Sequence, residues 1–252
     1  MPRQARKYSK SGIYHIMVRG INKQNIFEED EDRERFIKTL KYYKEISKYE
    51  IYAYCLMTNH VHLLIRETME PISLIMQRIN GSYGIWYNTK YERCGYLFQG
   101  RFKSEPVEDK RYFQTVFRYI HQNPLKANLV KDIKGWKWSS LNEYYDKVSF
   151  IDTDYVLDMF SEDKESALEK VKHYLSEANE DTCMEYEEKR KLTDEEIINF
   201  FIKLGIKNIS ELQQSEKLKR DDIIKKVKAI KGVTVRQLAR ITGISRSVIG
   251  RM

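Results

Sequence analysis

Two histidines separated by one residue, His60-Val61-His62, lie inside the apolar run from Ile51 to Ile65. In an extended strand, side chains two positions apart project from one face, so both imidazoles would stand on the same side of a sheet. Neutral imidazole is the commonest protein ligand for metal ions, and burying two of them costs free energy unless something uses their lone pairs. The spacing leaves two readings open, a metal-binding pair and a pair hydrogen-bonded at a strand end. Further along, Tyr119 and Asn123 are four apart and so share one face of a helix near its end. A tyrosine hydroxyl is a weak nucleophile at neutral pH, its unperturbed pKa being about 10. Asn123 offers a neutral amide oxygen that can ligate a hard cation. Two imidazoles and one amide oxygen make an incomplete shell with positions left for phosphate oxygens and water, which suits Mg²⁺ or Mn²⁺ acting as a Lewis acid on a phosphodiester. Tyr119 taken alone says little, because the chain has 18 tyrosines and a helical Tyr among Val116, Phe117 and Ile120 is commonly core. His121 reads as structural or phosphate-contacting, His15 as a core or edge histidine, and His173 as solvated surface.

These residues need elements to position them. Gly12 to Val18 is rich in β-formers and runs into the turn-like Arg19-Gly20-Ile21-Asn22. Phe36, Leu40, Tyr43 and Ile46 recur at helical spacing between Glu31 and Tyr49, behind an acidic first turn. Ile51–Met57 and His60–Ile65 predict a hairpin around Thr58-Asn59. Pro71 opens a helix to about Thr89. Gly95 to Val107 reads as extended, with Gly100 as a bulge. Asp109 caps a helix that Pro124 stops, because the residue before proline is pushed from helical geometry. The order strand-helix-strand-strand-helix-strand-helix predicts an α+β fold: an antiparallel sheet with helices packed on one face, of ferredoxin-like or RRM-like kind, its other face open to a substrate.

Composition narrows the partners. The 252 residues carry a net charge of +8, distributed as +9 over 1–150, −10 over 151–200 and +9 over 201–252. Basic blocks of this size suit a polyanion, because each phosphate contact releases condensed counterions. Three scattered cysteines without CxxC spacing, the absence of a long apolar run and a polar N-terminus argue for a reducing cytoplasm and against a membrane span. The charge blocks set the expected organisation: a catalytic domain over 1–150, an acidic helical connector over 151–200 that could fold back on a basic face when DNA is absent, and a C-terminal domain over 201–252. Within the last, Thr234 to Ser247 reads as a helix-turn-helix, with Gly243 in the turn and Ser245 capping the second helix.

Four motifs then carry a resemblance. Ile13-Tyr14-His15 with Val18-Arg19-Gly20-Ile21-Asn22, Met57-Thr58-Asn59-His60-Val61-His62-Leu63-Leu64, Leu97-Phe98-Gln99-Gly100-Arg101-Phe102-Lys103 and Arg118-Tyr119-Ile120-His121-Gln122-Asn123-Pro124 resemble, in order, the motifs of REP-associated tyrosine transposases. The likeness covers about residues 1–150. It implies a His-hydrophobic-His nuclease of the single-tyrosine kind, with Tyr119 as nucleophile and His60, His62 and Asn123 as metal ligands. Asn123 stands where insertion-sequence relatives often have Gln, and Pro124 beside it places it at the helix end. Arg19, Asn22, Gln99, Arg101 and Lys103 are the expected DNA contacts of this domain. The C-terminal block resembles the helix-turn-helix of bacterial replication initiators, with Arg236, Gln237, Ser245, Arg246 and Arg251 as its expected DNA contacts. The implied activity is metal-dependent cleavage and rejoining of single-stranded, hairpin-associated DNA through a 5′-phosphotyrosine, by a monomer or homodimer with Mg²⁺ or Mn²⁺. Its rivals are a replication-initiator or mobilisation nickase, a transposase-derived regulator that only binds DNA, and an RNA-binding sheet.

Overall fold

The computed structural model describes residues 6–145, 150–184, 192–230 and 232–252. The chain divides into two compact units, 1–185 and 186–252.

The first unit is built on a four-stranded antiparallel sheet in the order β2-β3-β1-β4, with β1 at Ile13–Arg19, β2 at Glu50–Leu56, β3 at His60–Arg66 and β4 at Lys103–Pro106. Helix α1 (Asp30–Ser47) joins β1 to β2, α2 (Ile72–Lys90) follows β3, and α3 (Lys110–Lys126) follows β4. The predicted hairpin is closed by the Met57 N–H donating to the His60 carbonyl at 2.9 Å. In the central pair, Met17 lies opposite His62 and Arg19 opposite His60. Opposed residues share a face. His15, Met17 and Arg19 therefore stand with His60, His62 and Leu64, while Tyr14, Ile16 and Val18 stand with Val61, Leu63 and Ile65. Helix α3 packs on β2 and β3. The second set is equally buried, in the same core to which α1 brings Phe36 and Leu40 and α2 brings Ile75, Ile79 and Tyr83. The expected antiparallel sheet with helices is present, but its expected open face is not: β1, β2 and β3 are buried on both sides because each carries apolar or aromatic residues at both parities, and only the short β4 is half-buried throughout.

Two local expectations need correction. Pro124 does not stop α3; the helix continues to Lys126, and Asn123 lies within it. The proline sits in the last turn, where its own carbonyl accepts from the Leu129 N–H at 2.9 Å and the Asn123 carbonyl accepts from Ala127 at 2.9 Å, so the chain closes as a normal helix end. Of the long extended segment before Val107, only Lys103–Pro106 joins the sheet as a strand, with an isolated bridge from Phe98 to Gly20. Gly100, at φ +69, sits in a bend outside the strand instead of forming a bulge. Asp109 caps α3 as expected, its carboxylate accepting from the Tyr112 N–H at 2.8 Å.

Helices α4 (Leu141–Tyr145), α5 (Asp154–Leu157) and α6 (Lys164–Ser176) complete the first unit. The second unit holds α7 (Asp194–Lys203), α8 (Ile209–Gln214), α9 (Lys217–Lys228), α10 (Val235–Thr242) and α11 (Arg246–Arg251) around Ile197, Phe201, Leu212, Ile224, Val227, Leu238 and Ile249. No described helix is long and apolar enough to cross a membrane.

Phe36 is fully buried, with edge contacts to Phe27 and Tyr83 at ring separations of 5.6 and 5.0 Å. Phe36→Ala should cost about 3–5 kcal/mol. All three tryptophans (Trp86, Trp136 and Trp138) belong to the first unit. A fall in the denaturation midpoint read by tryptophan fluorescence checks the assignment; an unchanged midpoint would remove Phe36 from the core.

Candidate active site

The histidine pair lands at the end of β3 that faces the turn after β1. That turn is tight: a Cβ on Gly20 would meet the Gln24 carbonyl oxygen at 2.1 Å, so only glycine fits. The Gly20 N–H donates to the Asn59 carbonyl, the Ile21 N–H to the Leu97 carbonyl and the Gln99 N–H to the Arg19 carbonyl, at 2.9, 2.9 and 2.7 Å. Three separate segments, 19–21, 58–60 and 97–99, are thereby locked around His60.

The imidazoles are committed nitrogen by nitrogen. His60 Nδ1 lies 2.7 Å from Oδ1 of Asn59, an atom that can only accept, and the Asn59 amide nitrogen donates to the Lys23 carbonyl at 3.2 Å. His60 therefore carries its proton on Nδ1 and its lone pair on Nε2. His62 is buried, and its Nδ1 lies 2.9 Å from Nε2 of His15. One of those nitrogens donates and the other accepts. The choice is made by Glu105, whose Oε2 stands 3.9 Å from Nδ1 of His15, too far for a hydrogen bond but close enough to favour a proton there and to repel a lone pair. His15 with its proton on Nδ1 must accept at Nε2, so His62 donates from Nδ1 and presents its lone pair on Nε2. Burial pushes His15 below its ordinary pKa against the pull of Glu105. Burial, then the charges of His60 and His15, hold His62 well below its own. Glu105 is held below the usual carboxylate range by His15 beside it and by Tyr112, whose hydroxyl donates to it at 2.6 Å.

Tyr119 comes to this cluster from α3. Its ring meets His62 edge-on at 5.6 Å and His15 at 5.9 Å, and it is 3% exposed. Asn123, one turn on and half-buried, donates from its amide nitrogen to the Tyr119 carbonyl at 3.1 Å, which fixes which end of the amide is nitrogen. The other side of α3 is strapped by the segment after α6. Arg118 pairs with Glu177 at 3.1 Å and Asp181 at 2.7 Å, Gln122 donates to the Leu175 carbonyl at 2.8 Å, and Lys126 donates to the Asp181 carbonyl at 3.2 Å while standing 5.3 Å over the Tyr119 ring. Glu177 and Asp181 of the expected connector thus fold back on Arg118 of the tyrosine helix itself. His121 points the other way, donating to the Phe117 carbonyl and accepting from the Ser140 hydroxyl, both at 2.9 Å, and burial pushes its pKa to about 4. Its role is structural. His173 is exposed beside Glu177 at 3.2 Å.

The two imidazoles offer nitrogen donors of a kind that a divalent cation takes. Among the described residues no three His, Cys, Asp or Glu side chains gather into a metal site, so a cation here would need amide, phosphate or water oxygens besides the Nε2 atoms of His60 and His62. Of the expected DNA contacts in this unit, Asn22, Gln99 and Arg101 are exposed, while Arg19 and Lys103 are half-buried at strand ends. In the second unit Arg236, Ser245, Arg246 and Arg251 are exposed. Gln237 is tied at both ends of its amide, to the Leu192 carbonyl at 2.7 Å and the Thr234 hydroxyl at 2.9 Å. Ser245 stands at the N-cap of α11 without capping it; its hydroxyl pairs with that of Ser247 at 3.1 Å. Gly243, at φ +71, ends α10 in the left-handed conformation.

Residues 8–123 match the family described as "Transposase IS200 like". The structure of a REP-associated tyrosine transposase bound to a REP hairpin aligns with a TM-score of 0.51 at 19% identity, covering 58% of this chain and 87% of that one, a likeness of fold. A Deinococcus radiodurans R1 protein classed as a transposase aligns at 17% identity over 48% of this chain and 97% of its own, with a TM-score of 0.35 too low to carry an argument. Among curated proteins none matches.

Two outcomes follow from the histidines. Long-range ¹H–¹⁵N spectra of the imidazoles should show His15, His60 and His62 all protonated at Nδ1; an Nε2–H signal from His62 would break the chain of assignments that begins at Glu105. The depressed pKa values also give a sign for stability. An unfolded histidine protonates near 6.5, whereas folded His121 stays neutral to about 4, so the stability it contributes is complete above pH 6.5 and is lost as pH falls towards 4. Each such histidine steepens the loss by up to about 1.4 kcal/mol per pH unit. Denaturation midpoints between pH 7 and 4.5 should fall less steeply for His121→Gln than for the wild type.

Proposed function

We propose, from the match of residues 8–123 to the IS200-like transposase family, that the chain cleaves and rejoins single-stranded, hairpin-associated DNA through a covalent Tyr119 intermediate. The observation that carries this reading is the meeting of Tyr119 with His62 at a ring separation of 5.6 Å, from two elements 57 residues apart in the chain. A core tyrosine needs no such company; a nucleophile that must act beside a scissile phosphate does.

In this reading the Tyr119 hydroxyl oxygen attacks phosphorus, the P–O3′ bond breaks, the tyrosine gives up its proton and the departing 3′ oxygen takes one. The product is a 5′-phosphotyrosine and a free 3′ hydroxyl, with the energy of the broken linkage conserved. Attack by another 3′ hydroxyl reverses the step and completes strand transfer, so no nucleotide cofactor is needed. His60 and His62, through Nε2, with the Asn123 amide oxygen, would hold Mg²⁺ or Mn²⁺, which when bound supplies Lewis-acid polarisation of the scissile phosphate. His15 and Glu105 orient His62 for that task, and fixed second partners of this kind typically matter 10–100-fold in metal affinity. The exposed Arg236, Arg246 and Arg251 in the second unit would serve as a separate duplex contact. Two rivals share parts of this site. A nickase of the initiator or mobilisation kind would use the same chemistry without the second transfer, and a DNA-binding regulator would use none of it.

A denaturing-gel assay on labelled single-stranded hairpin DNA with Mg²⁺, with Mn²⁺ and with chelator tests the reading. Wild type should give a metal-dependent nick with protein joined to the 5′ end. Tyr119→Phe should lose the adduct, by about 10³-fold or more, and retain DNA binding. Tight binding with no adduct under any metal would favour the regulator, and an adduct that persists in Tyr119→Phe would move the nucleophile elsewhere.

A further inference from the structure

A groove of about 550 Å³ runs between the outer face of α2 and the segment 95–102. Its floor on the helix is Asn80, Gly84 and Asn88, four apart on one stripe, with Gly81 beside them. Opposite stand Tyr96, 87% exposed, and Phe98. The rim carries Arg6 and Arg101, and no acidic side chain lines the groove among the described residues. The two guanidiniums are near enough that burial and the charge of Arg101 lower the pKa of Arg6. Neither has a carboxylate partner among the described residues. A second groove of about 820 Å³ shares Arg6, Arg101 and Phe102 and continues past Lys103 to Glu105 on β4.

Two features select the occupant. A pair of neighbouring cations without an anion is a standing repulsion that a phosphate relieves. A slot floored by glycine and edged by an exposed tyrosine accepts a flat ring. The Asn88 amide nitrogen donates to the Gly95 carbonyl at 2.8 Å, which ties α2 to the segment opposite. A cationic track with an aromatic platform is the way single-stranded nucleic acid is held without a duplex. We infer that this groove takes one unpaired nucleotide of single-stranded DNA, its base between Gly84 and Tyr96 and its phosphate on Arg6 and Arg101.

This inference deepens the proposed activity and rests on its DNA substrate, so the test separates the two. A Cβ built on Gly84 meets nothing within 4 Å, so Gly84→Leu starts its side chain in the open space of the groove, and helix propensity favours the change. The full chain and this variant are titrated with a fluorescent single-stranded 12-mer of mixed sequence, the same sequence as RNA, and the blunt duplex, by anisotropy. Gly84→Leu should bind the single-stranded DNA about tenfold more weakly, as expected for one stacked base, with duplex affinity and thermal midpoint kept. Arg101→Ala should weaken the single strand and reduce its salt dependence. Equal binding of the 12-mer by wild type and Gly84→Leu would overturn the groove assignment while leaving the transposase reading intact. Equal loss on the blunt duplex would also overturn it. Tighter binding of the RNA, with the same loss in the variant, would replace DNA by RNA as the occupant. No binding of any single strand by wild type would overturn both readings.

Discussion

A buried imidazole has to be neutral, and each of its nitrogens has to be committed as donor or acceptor. Three of the five histidines here are buried, His15, His62 and His121, and that constraint reaches far into the structure. His15 can meet His62 only if β1 and β3 pair in the register that sets Met17 opposite His62. A slip of one residue would turn the whole row to the other face. The β1 strand must then end at Gly20, because the chain turns there closer to Gln24 than any side chain allows. Glu105 fixes the proton on His15 from the neighbouring strand, so β4, short as it is, belongs to the logic of the centre. The lone pairs of His60 and His62 both end on Nε2, one through Asn59 and the other through His15 and Glu105. Two different local arrangements give the same chemical outcome.

Helix α3 is held on both sides, and this explains how a tyrosine with one turn of helix between it and a proline can be placed reproducibly. One side lies on β2 and β3; on the other, Arg118, Gln122 and Lys126, spaced four apart, are met in turn by the segment from Leu175 to Asp181. Rigid support of this kind is what keeps a reacting group within reach of its target geometry. It also encloses Tyr119, whose ring lies against His15 and His62 and below Lys126.

The strands around the histidines and the three main helices were legible because their periodicity is strong: His60 and His62 at period two, Phe36 and Leu40 at helical spacing, and Asp109 as a cap. The extension of α3 past Pro124 was not, because the rule against helical geometry before proline is a tendency that a last turn can absorb. The buried second face of the sheet was not, since residues of both parities in β1 and β3 are apolar or aromatic and the pattern of one strand does not say how many layers cover it. Glu105 and Asn59 were invisible as partners of the site. Their importance comes from strand register and turn geometry, which bring Glu105 to a histidine 90 residues earlier. His15 was read as a core histidine, and it is buried; what the sequence withheld was which nitrogen it shares and with whom.

The charge blocks acquire a sharper meaning in three dimensions. A basic stretch of +9 suggests a uniform attraction for a polyanion, but its cations are not equivalent. Arg118 is already neutralised between Glu177 and Asp181, at 3.1 and 2.7 Å, and Lys126 is engaged by the same segment. Those partners come from the acidic stretch that follows, so part of its negative charge is spent beside the tyrosine helix. At the rim formed by the N-terminal segment and residues 95–102, Arg6 instead lies over the Phe102 ring at 3.6 Å, with the charge of Arg101 beside it. Attraction falls off within about 8–10 Å at physiological salt, so a phosphate backbone is drawn to where positive charge remains uncompensated. The acidic stretch therefore does more than dilute the net charge: through Glu177 and Asp181 it neutralises Arg118 on the tyrosine helix itself.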